Sequence, residues 1–246
     1  MGTIQTISAE ELELLKQVDT PTVCNVIELF DVRPRNTGYM DARIKASFPE
    51  LPPMVGYATT ATYRSNAPPH EGDVYAGLDG QVAEFEPIPE PRVVVFQDLD
   101  EPAIAATFGE VMCTTYKTFG CVGLITSGAG RDLEQVHEIN FPVFTNGTIC
   151  AHAYCHVLDV NVPVHVGGIT VYPGTLLHGD ANGVTTIPND IAGQVARLCA
   201  EFLEAESYVL DFLQTGERDL KGLTEARAKC TQKIEELQKR ALKGRS

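Results

Sequence analysis

Residues 121–132 read CVGLITSGAGRD. The first six form an apolar run bounded by glycine, the composition of a strand buried on both faces. A glycine-rich turn follows, and Arg131-Asp132 leads into a segment whose pattern predicts a helix over 132–139. Upstream, Val93–Gln97 is a second buried-strand run, and the intervening Glu110–Thr118 has helical character. Strand, helix, strand in that order is a parallel β-α-β unit and sets the class as α/β. Ligands of open α/β sheets bind at the carboxyl ends of the strands, which makes the turn ending in Arg131-Asp132 the first candidate site. Helix starts beside it would present anion-attracting amides. Neither nucleotide fingerprint is met: the third glycine of a dinucleotide motif is absent, and no Gly-Lys-Ser/Thr occurs.

Working outward, Val55–Tyr63 is β-branched and aromatic and predicts a strand. Ser8 with Glu11 forms a capping box that starts a short helix carrying Leu12, Leu14 and Leu15. Thr20-Pro21 predicts another over Thr22–Phe30, with the threonine as cap. Pro34–Pro53 is loop-like, and Ser65–Pro91 is a long surface excursion with one helix near Val74. A strand is expected at Pro142–Thr145. Val162–Val166 and Ile169–Tyr172 flank Gly167-Gly168 as a hairpin, and Asp180–Gly183 is a turn before a strand at Val184–Ile187. Asp190–Gln214 is a long amphipathic helix. Leu223, Cys230, Ile234, Leu237 and Ala241 put an apolar stripe on a terminal one, the pattern of a helix that packs on the body or on a neighbouring subunit. With no repeat and no linker, residues 1–246 read as one domain with a helical extension over about 217–246.

The bulk numbers exclude whole classes. The 246 residues are 43% hydrophobic and 21% charged, as in an ordinary globular protein, with no apolar run long enough to span a membrane and no secretory leader pattern at the N-terminus. Seven scattered cysteines (24, 113, 121, 150, 155, 199 and 230) fit reduced thiols in a cytoplasmic setting better than a disulfide framework. A net charge of −14 argues against nucleic acid as a partner. Residues 217–246 are the exception, with nine Lys/Arg against five Asp/Glu, read as a solvated helix face.

Several pieces, in order, carry a resemblance: Gly109-Glu110, Gly120-Cys121-Val122-Gly123, Gly130-Arg131-Asp132, Phe141-Pro142-Val143-Phe144, Pro163-Val164, Gly167-Gly168, Val171-Tyr172-Pro173-Gly174, and Asp180 with Gly183. Together they resemble the family of the regulator of ribonuclease activity A (RraA) and the 4-hydroxy-4-methyl-2-oxoglutarate (HMG) and 4-carboxy-4-hydroxy-2-oxoadipate (CHA) aldolases. The resemblance implies an α-β-β-α sandwich that forms homo-oligomers, trimers or hexamers, with sites between subunits. It also implies a divalent-metal-dependent lyase, aldolase or decarboxylase, acting on a small 2-oxo acid through a pyruvate enolate. The alternative branch is a non-catalytic regulator that binds a ribonuclease.

Residue by residue, the resemblance makes Asp132 the ligand of Mg²⁺ or Mn²⁺. Arg131, with the segment Gly109, Glu110, Val111 and Met112, becomes the substrate-binding set, and Arg131, Glu110 and Glu206 the catalytic candidates, Glu206 reaching a neighbouring subunit's site. Twenty residues separate Glu110 from Arg131, the family's spacing, with glutamate where aspartate is usual. Gln135 stands where the aldolases carry an acid, and Glu134 beside it is turned by about 100° on a helix. Cys150-x-His152-x-x-Cys155-His156 looks like a soft-metal cluster but lacks a second cysteine pair, and reads better as turn and strand. His178 reads as a structural histidine, and His70 as a substrate-facing group on the long loop.

Overall fold

The computed structural model describes residues 3–70 and 77–244. In chain order the elements are α1 (Ala9–Lys16), α2 (Thr20–Glu28), β1 (Lys45–Ala46), β2 (Met54–Arg64), α3 (Leu78–Ala83), β3 (Arg92–Asp98), β4 (Ala106–Phe108), α4 (Glu110–Thr118), β5 (Cys121–Thr126) and β6 (Ala129–Gly130). Then come α5 (Leu133–Glu138), β7 (Val143–Thr145), β8 (His156–Val160), β9 (Val164–Val166), β10 (Ile169–Val171), β11 (Leu176–Asp180), β12 (Gly183–Ile187), α6 (Ala192–Gln214) and α7 (Leu220–Lys243).

The fold is mixed α/β, as expected. One eight-stranded sheet runs β1-β7-β5-β3-β2-β11-β12, with β8 pairing the far half of β2. The expected β-α-β unit is its centre: β2, β3, β5 and β7 are parallel neighbours, and α4 lies between β3 and β5 in sequence. Alternation on these strands divides the core. Val94 and Phe96 of β3 point into a cluster with Tyr116 and Met112 of α4, whereas Val93 and Val95 point to the opposite face, under β9 and β10. That two-stranded hairpin turns at Gly167 and Gly168, both with φ in the left-handed region (57° and 78°) that glycine adopts without strain. The helices α1, α2 and α6 cover the other half of the first face, packing on Val55, Tyr57, Leu176 and Ile187. The terminal stripe lands where expected: Leu237 and Ala241 of α7 are buried against this cluster, with Ile234 at its edge. No described helix is long and apolar enough to cross a membrane.

The structure corrects four sequence readings. Asp19, not Thr20, caps α2, its carboxylate accepting the Thr22 N–H at 2.9 Å; the Thr20 hydroxyl is occupied by His178. Leu176–Asp180, read only as the approach to a turn, is a strand paired on both edges, with β2 and β12, because its neighbours supply the ladder that Gly179 disfavours locally. The helix of the long excursion is Leu78–Ala83, and Val74 lies outside the described residues. Finally, the helix expected from Asp132 begins at Leu133.

Candidate functional site

The parallel pairing of β4 with β6 sets Phe108 against Gly130, so the residues that follow each strand, Gly109 and Arg131, become neighbours. The Arg131 N–H donates to the Phe108 carbonyl at 3.2 Å and locks the turn. Gly109 is then the N-cap of α4 and has no side chain to cap with. A Cβ there would stand 2.5 Å from Asp132 Oδ2 and 3.1 Å from Arg131 Nε, so a side chain at this position would displace the Asp132 carboxylate. Asp132 supplies the missing cap across the turn: its Oδ2 accepts the Glu110 N–H at 3.1 Å and lies 3.6 Å from Arg131 Nε. To do so Asp132 adopts φ 54°, ψ 39°, an unfavourable conformation for a side-chain-bearing residue, and its carboxylate makes no cap for its own helix α5. Strain of this kind persists where surrounding structure imposes it and gathers at ligand sites.

This pair lies on a cavity of about 330 Å³. Its walls are apolar, from Tyr63, Leu78, Ala106, Phe108, Val111 and Met112. Polar groups come from the rim: Arg131 and Asp132, partly exposed at 28% and 37%, and His152. The amides of the first turn of α4 have no acceptors within their helix, and a helix N-terminus carries partial positive charge. One cation, one carboxylate and a helix start therefore meet at the edge of an apolar chamber. That arrangement suits a small anion with a carbon skeleton.

The structure thus brings together Arg131, Asp132, Gly109, Val111 and Met112. Glu110 joins through its backbone N–H, while its side chain is exposed outside the cavity lining. Glu206 lies on α6, apart from the cavity of its own chain; burial, then the charge of Asp19, raises its pKa. Gln135 and Glu134 are both exposed on α5 and line no part of the cavity. His70 is exposed at the start of the long loop and away from this chamber. His178 is a structural residue: it is fully buried, with Nδ1 bonded to the Thr20 hydroxyl and Nε2 to the Leu15 carbonyl, both at 2.9 Å. Sequence reading missed Tyr63, Leu78, Phe108 and His152 as cavity residues. No spacing rule could have found Tyr63 or Leu78, which reach the site through sheet pairing and loop course alone.

Burial also acts around the site. Cys113, on the buried face of α4, has its thiol pKa raised by burial and, second, by the charge of Asp132. Asp98, at the carboxyl end of β3 and in contact range of Gly128, is pushed up to about 6 by burial, against the Asp100 N–H that it accepts.

Among the described residues no three His, Cys, Asp or Glu side chains converge as a metal cage, which includes the Cys150–His156 run. The donor set does fit a hard ion that keeps most of its waters. Asp132 offers one partly exposed carboxylate on the cavity rim, and Mg²⁺ or Mn²⁺ bound through one carboxylate and a chelating ligand needs no more.

A family model described as RraA-like, Aldolase/RraA, matches residues 20–186. A protein of Halalkalibacterium halodurans provisionally named 4-hydroxy-4-methyl-2-oxoglutarate aldolase is 37% identical over 99 residues, 40% of this chain and 47% of the relative. The match thus spans about half of that relative's length. Among solved structures, an uncharacterised protein of Pseudomonas syringae superposes with a TM-score of 0.72 at 22% identity, covering 92% of this chain and 96% of its own. Streptomyces coelicolor RraAS2, described as an unusual member of the RNase ES inhibitor RraA family, gives 0.65 at 20% identity, over 82% of this chain and 96% of its own. At these identities the structural likeness concerns the fold.

Proposed function

Because the chain belongs to the RraA-like, Aldolase/RraA family, we propose that it is a divalent-metal-dependent lyase that cleaves a small 2-oxo acid through a pyruvate enolate, as an aldolase or a decarboxylase. The observation that carries this reading is the Arg131-Asp132 pair held by Gly109 against the N-terminus of α4, on the rim of an apolar cavity. The first-turn amides of α4 hold the substrate carboxylate. Arg131 presents its planar guanidinium to the 2-oxo oxygen, where negative charge develops as the carbon–carbon bond breaks, and a donor already in place there lowers the barrier. Asp132 orients Arg131 and would hold Mg²⁺ or Mn²⁺, which when bound would supply Lewis-acid polarisation of the 2-oxo group. Aldol cleavage and decarboxylation need the same stabilised charge, so one site serves either.

The chain also acts as a homo-oligomer, with Glu206 of one copy serving the cleft of the next; light scattering at the mass of one chain would rule this out. Support comes from the partial burial of Glu206 without a role in its own cavity. The second reading, a non-catalytic regulator that binds a ribonuclease, draws support from Gln135, a neutral residue on the exposed face of α5.

The test is pyruvate release across a panel of 2-oxo acids, with and without added Mg²⁺ or Mn²⁺. Release from at least one substrate, lost on treatment with EDTA and restored by metal, is expected. Full turnover after exhaustive chelation overturns the metal requirement. No release from any substrate overturns the lyase and leaves the regulator.

A further inference from the structure

Bond cleavage in this cavity needs a group that takes a proton and returns it, and the carboxylates expected for that task lie elsewhere. Glu110 directs its side chain to solvent, and position 135 is an exposed glutamine. Among the cavity's polar side chains, Asp132 already accepts the Glu110 N–H and faces Arg131. The Tyr63 hydroxyl donates to the Ala106 carbonyl at 3.2 Å and is held protonated by burial. Cys155 is buried beside that hydroxyl. His152 is the lining residue whose chemistry fits.

We propose that His152 is the general base and acid of this site, a role resting on the lyase reading above. Its ring lines the same cavity as Arg131 and Asp132 and is half-buried. Nδ1 lies 2.8 Å from the Ala153 carbonyl. A carbonyl only accepts, so Nδ1 carries a proton, and Nε2 is the nitrogen assigned to take a proton and return it. Second-hand orientation of this kind is how an imidazole is set up for proton transfer.

The loop that carries the ring is fixed to the elements that build the site. Gly130 exchanges hydrogen bonds with it, donating to the Gly147 carbonyl at 3.0 Å and accepting from the Ile149 N–H at 3.1 Å. The Ala106 N–H donates to the Ala151 carbonyl at 2.8 Å, and the Tyr154 N–H to the Ser65 carbonyl at 3.2 Å. Between these anchors Ala153 takes φ 44°, a left-handed conformation that costs an alanine energy and that the tethers on either side impose. His152 thus sits on a tethered segment of the cavity lining rather than on a loose loop.

For a 4-hydroxy-2-oxo acid the step balances on these groups. Nε2 of His152 takes the proton of the C4 hydroxyl, the new carbonyl forms at C4, and the C3–C4 bond breaks. Its electron pair becomes the C2–C3 double bond, with the negative charge on the C2 oxygen beside Arg131. The carbonyl fragment leaves, and the imidazolium returns its proton to C3, giving the 2-oxo acid product and a neutral histidine.

The experiment uses the whole protein and the best substrate of the 2-oxo acid panel. His152→Ala should lower kcat by roughly 10²–10⁴ with KM changed little, and added imidazole should restore part of the rate. His152→Gln, which keeps the bulk and a hydrogen bond to the loop, should match the loss without rescue. An unchanged melting temperature in either variant separates lost chemistry from lost fold. In parallel, nitrogen NMR on the wild type should show the Nδ1-protonated ring and a shift of Nε2 on addition of oxalate, a planar mimic of the enolate. Turnover near wild type in both variants overturns the inference, as does an Nε2 signal unmoved by saturating oxalate. If no panel substrate is cleaved, the lyase reading fails by itself, and the oxalate titration alone decides whether His152 meets the ligand.

Discussion

Two halves of one sheet face, each covered by helices, treat their polar residues in opposite ways. Under α1, α2 and α6 the core is closed, and its buried histidine, His178, has both ring nitrogens satisfied, by Thr20 and by the Leu15 carbonyl. Under α3, α4 and α5 the aromatic cluster of Tyr63, Phe96 and Tyr116 opens into the cavity, where His152, Arg131 and Asp132 stand at the rim. The closed half follows the rule that a buried polar group is hydrogen-bonded. In the open half a glycine removes a side chain at position 109, and the space is taken by charged groups in a strained turn. The difference shows that a histidine's role follows from what surrounds it: the structural reading of His178 holds because both ring nitrogens find partners in a closed core.

The largest expected effect breaks the open half alone. Arg131→Lys keeps the charge but loses the planar fork, so kcat should fall by roughly 10²–10³, or about 3–4 kcal/mol of transition-state stabilisation. The melting temperature should barely move, because an ion pair this exposed contributes at most about 1 kcal/mol. Near-wild-type turnover on a cleaved substrate would make Arg131 a structural partner of Asp132 and remove the contrast between the halves.

A smaller effect of the opposite kind is expected in the closed half. His178→Gln leaves partners on Thr20 and Leu15 imperfectly met and should cost about 1–3 kcal/mol, with turnover per folded molecule unchanged. In a chain of this size that is about 2–4 °C of melting temperature for each kcal/mol. Burial lowers the pKa of His178, opposed by the hydrogen bond to the Leu15 carbonyl, so the folded ring is neutral. The unfolded chain, with an ordinary value of about 6.5, then binds a proton that the folded chain refuses. Stability is therefore kept above about pH 6.5 and lost as the pH falls below it, and the glutamine variant should show a shallower acid slope. Urea unfolding at about pH 7.5 and about pH 5.5 measures both slopes. Parallel slopes would mean that His178 is not held neutral.

The elements whose signal is local were legible in the amino-acid order alone. The capping box at Ser8 and Glu11, the buried-strand runs at Val93–Gln97 and Cys121–Thr126, the Gly167-Gly168 hairpin and the long helix ending at Gln214 all depend on neighbours within a few residues, so hydrophobic period and turn chemistry suffice to place them. That order also marked Arg131 and Asp132, because a glycine-rich turn after a parallel strand is itself a local pattern. Everything that depends on pairing between distant segments was set by the packed fold. The capping of α4 by Asp132 joins residues 22 apart, the Thr20–His178 bond joins residues 158 apart, and β11 became a strand because β2 and β12 lie on either side of it. The cavity is likewise made by Tyr63, Phe108, Arg131 and His152 arriving from four separate segments. Hydrogen bonding and packing act on distance in space, and chain order fixes that distance only where the partners are already neighbours.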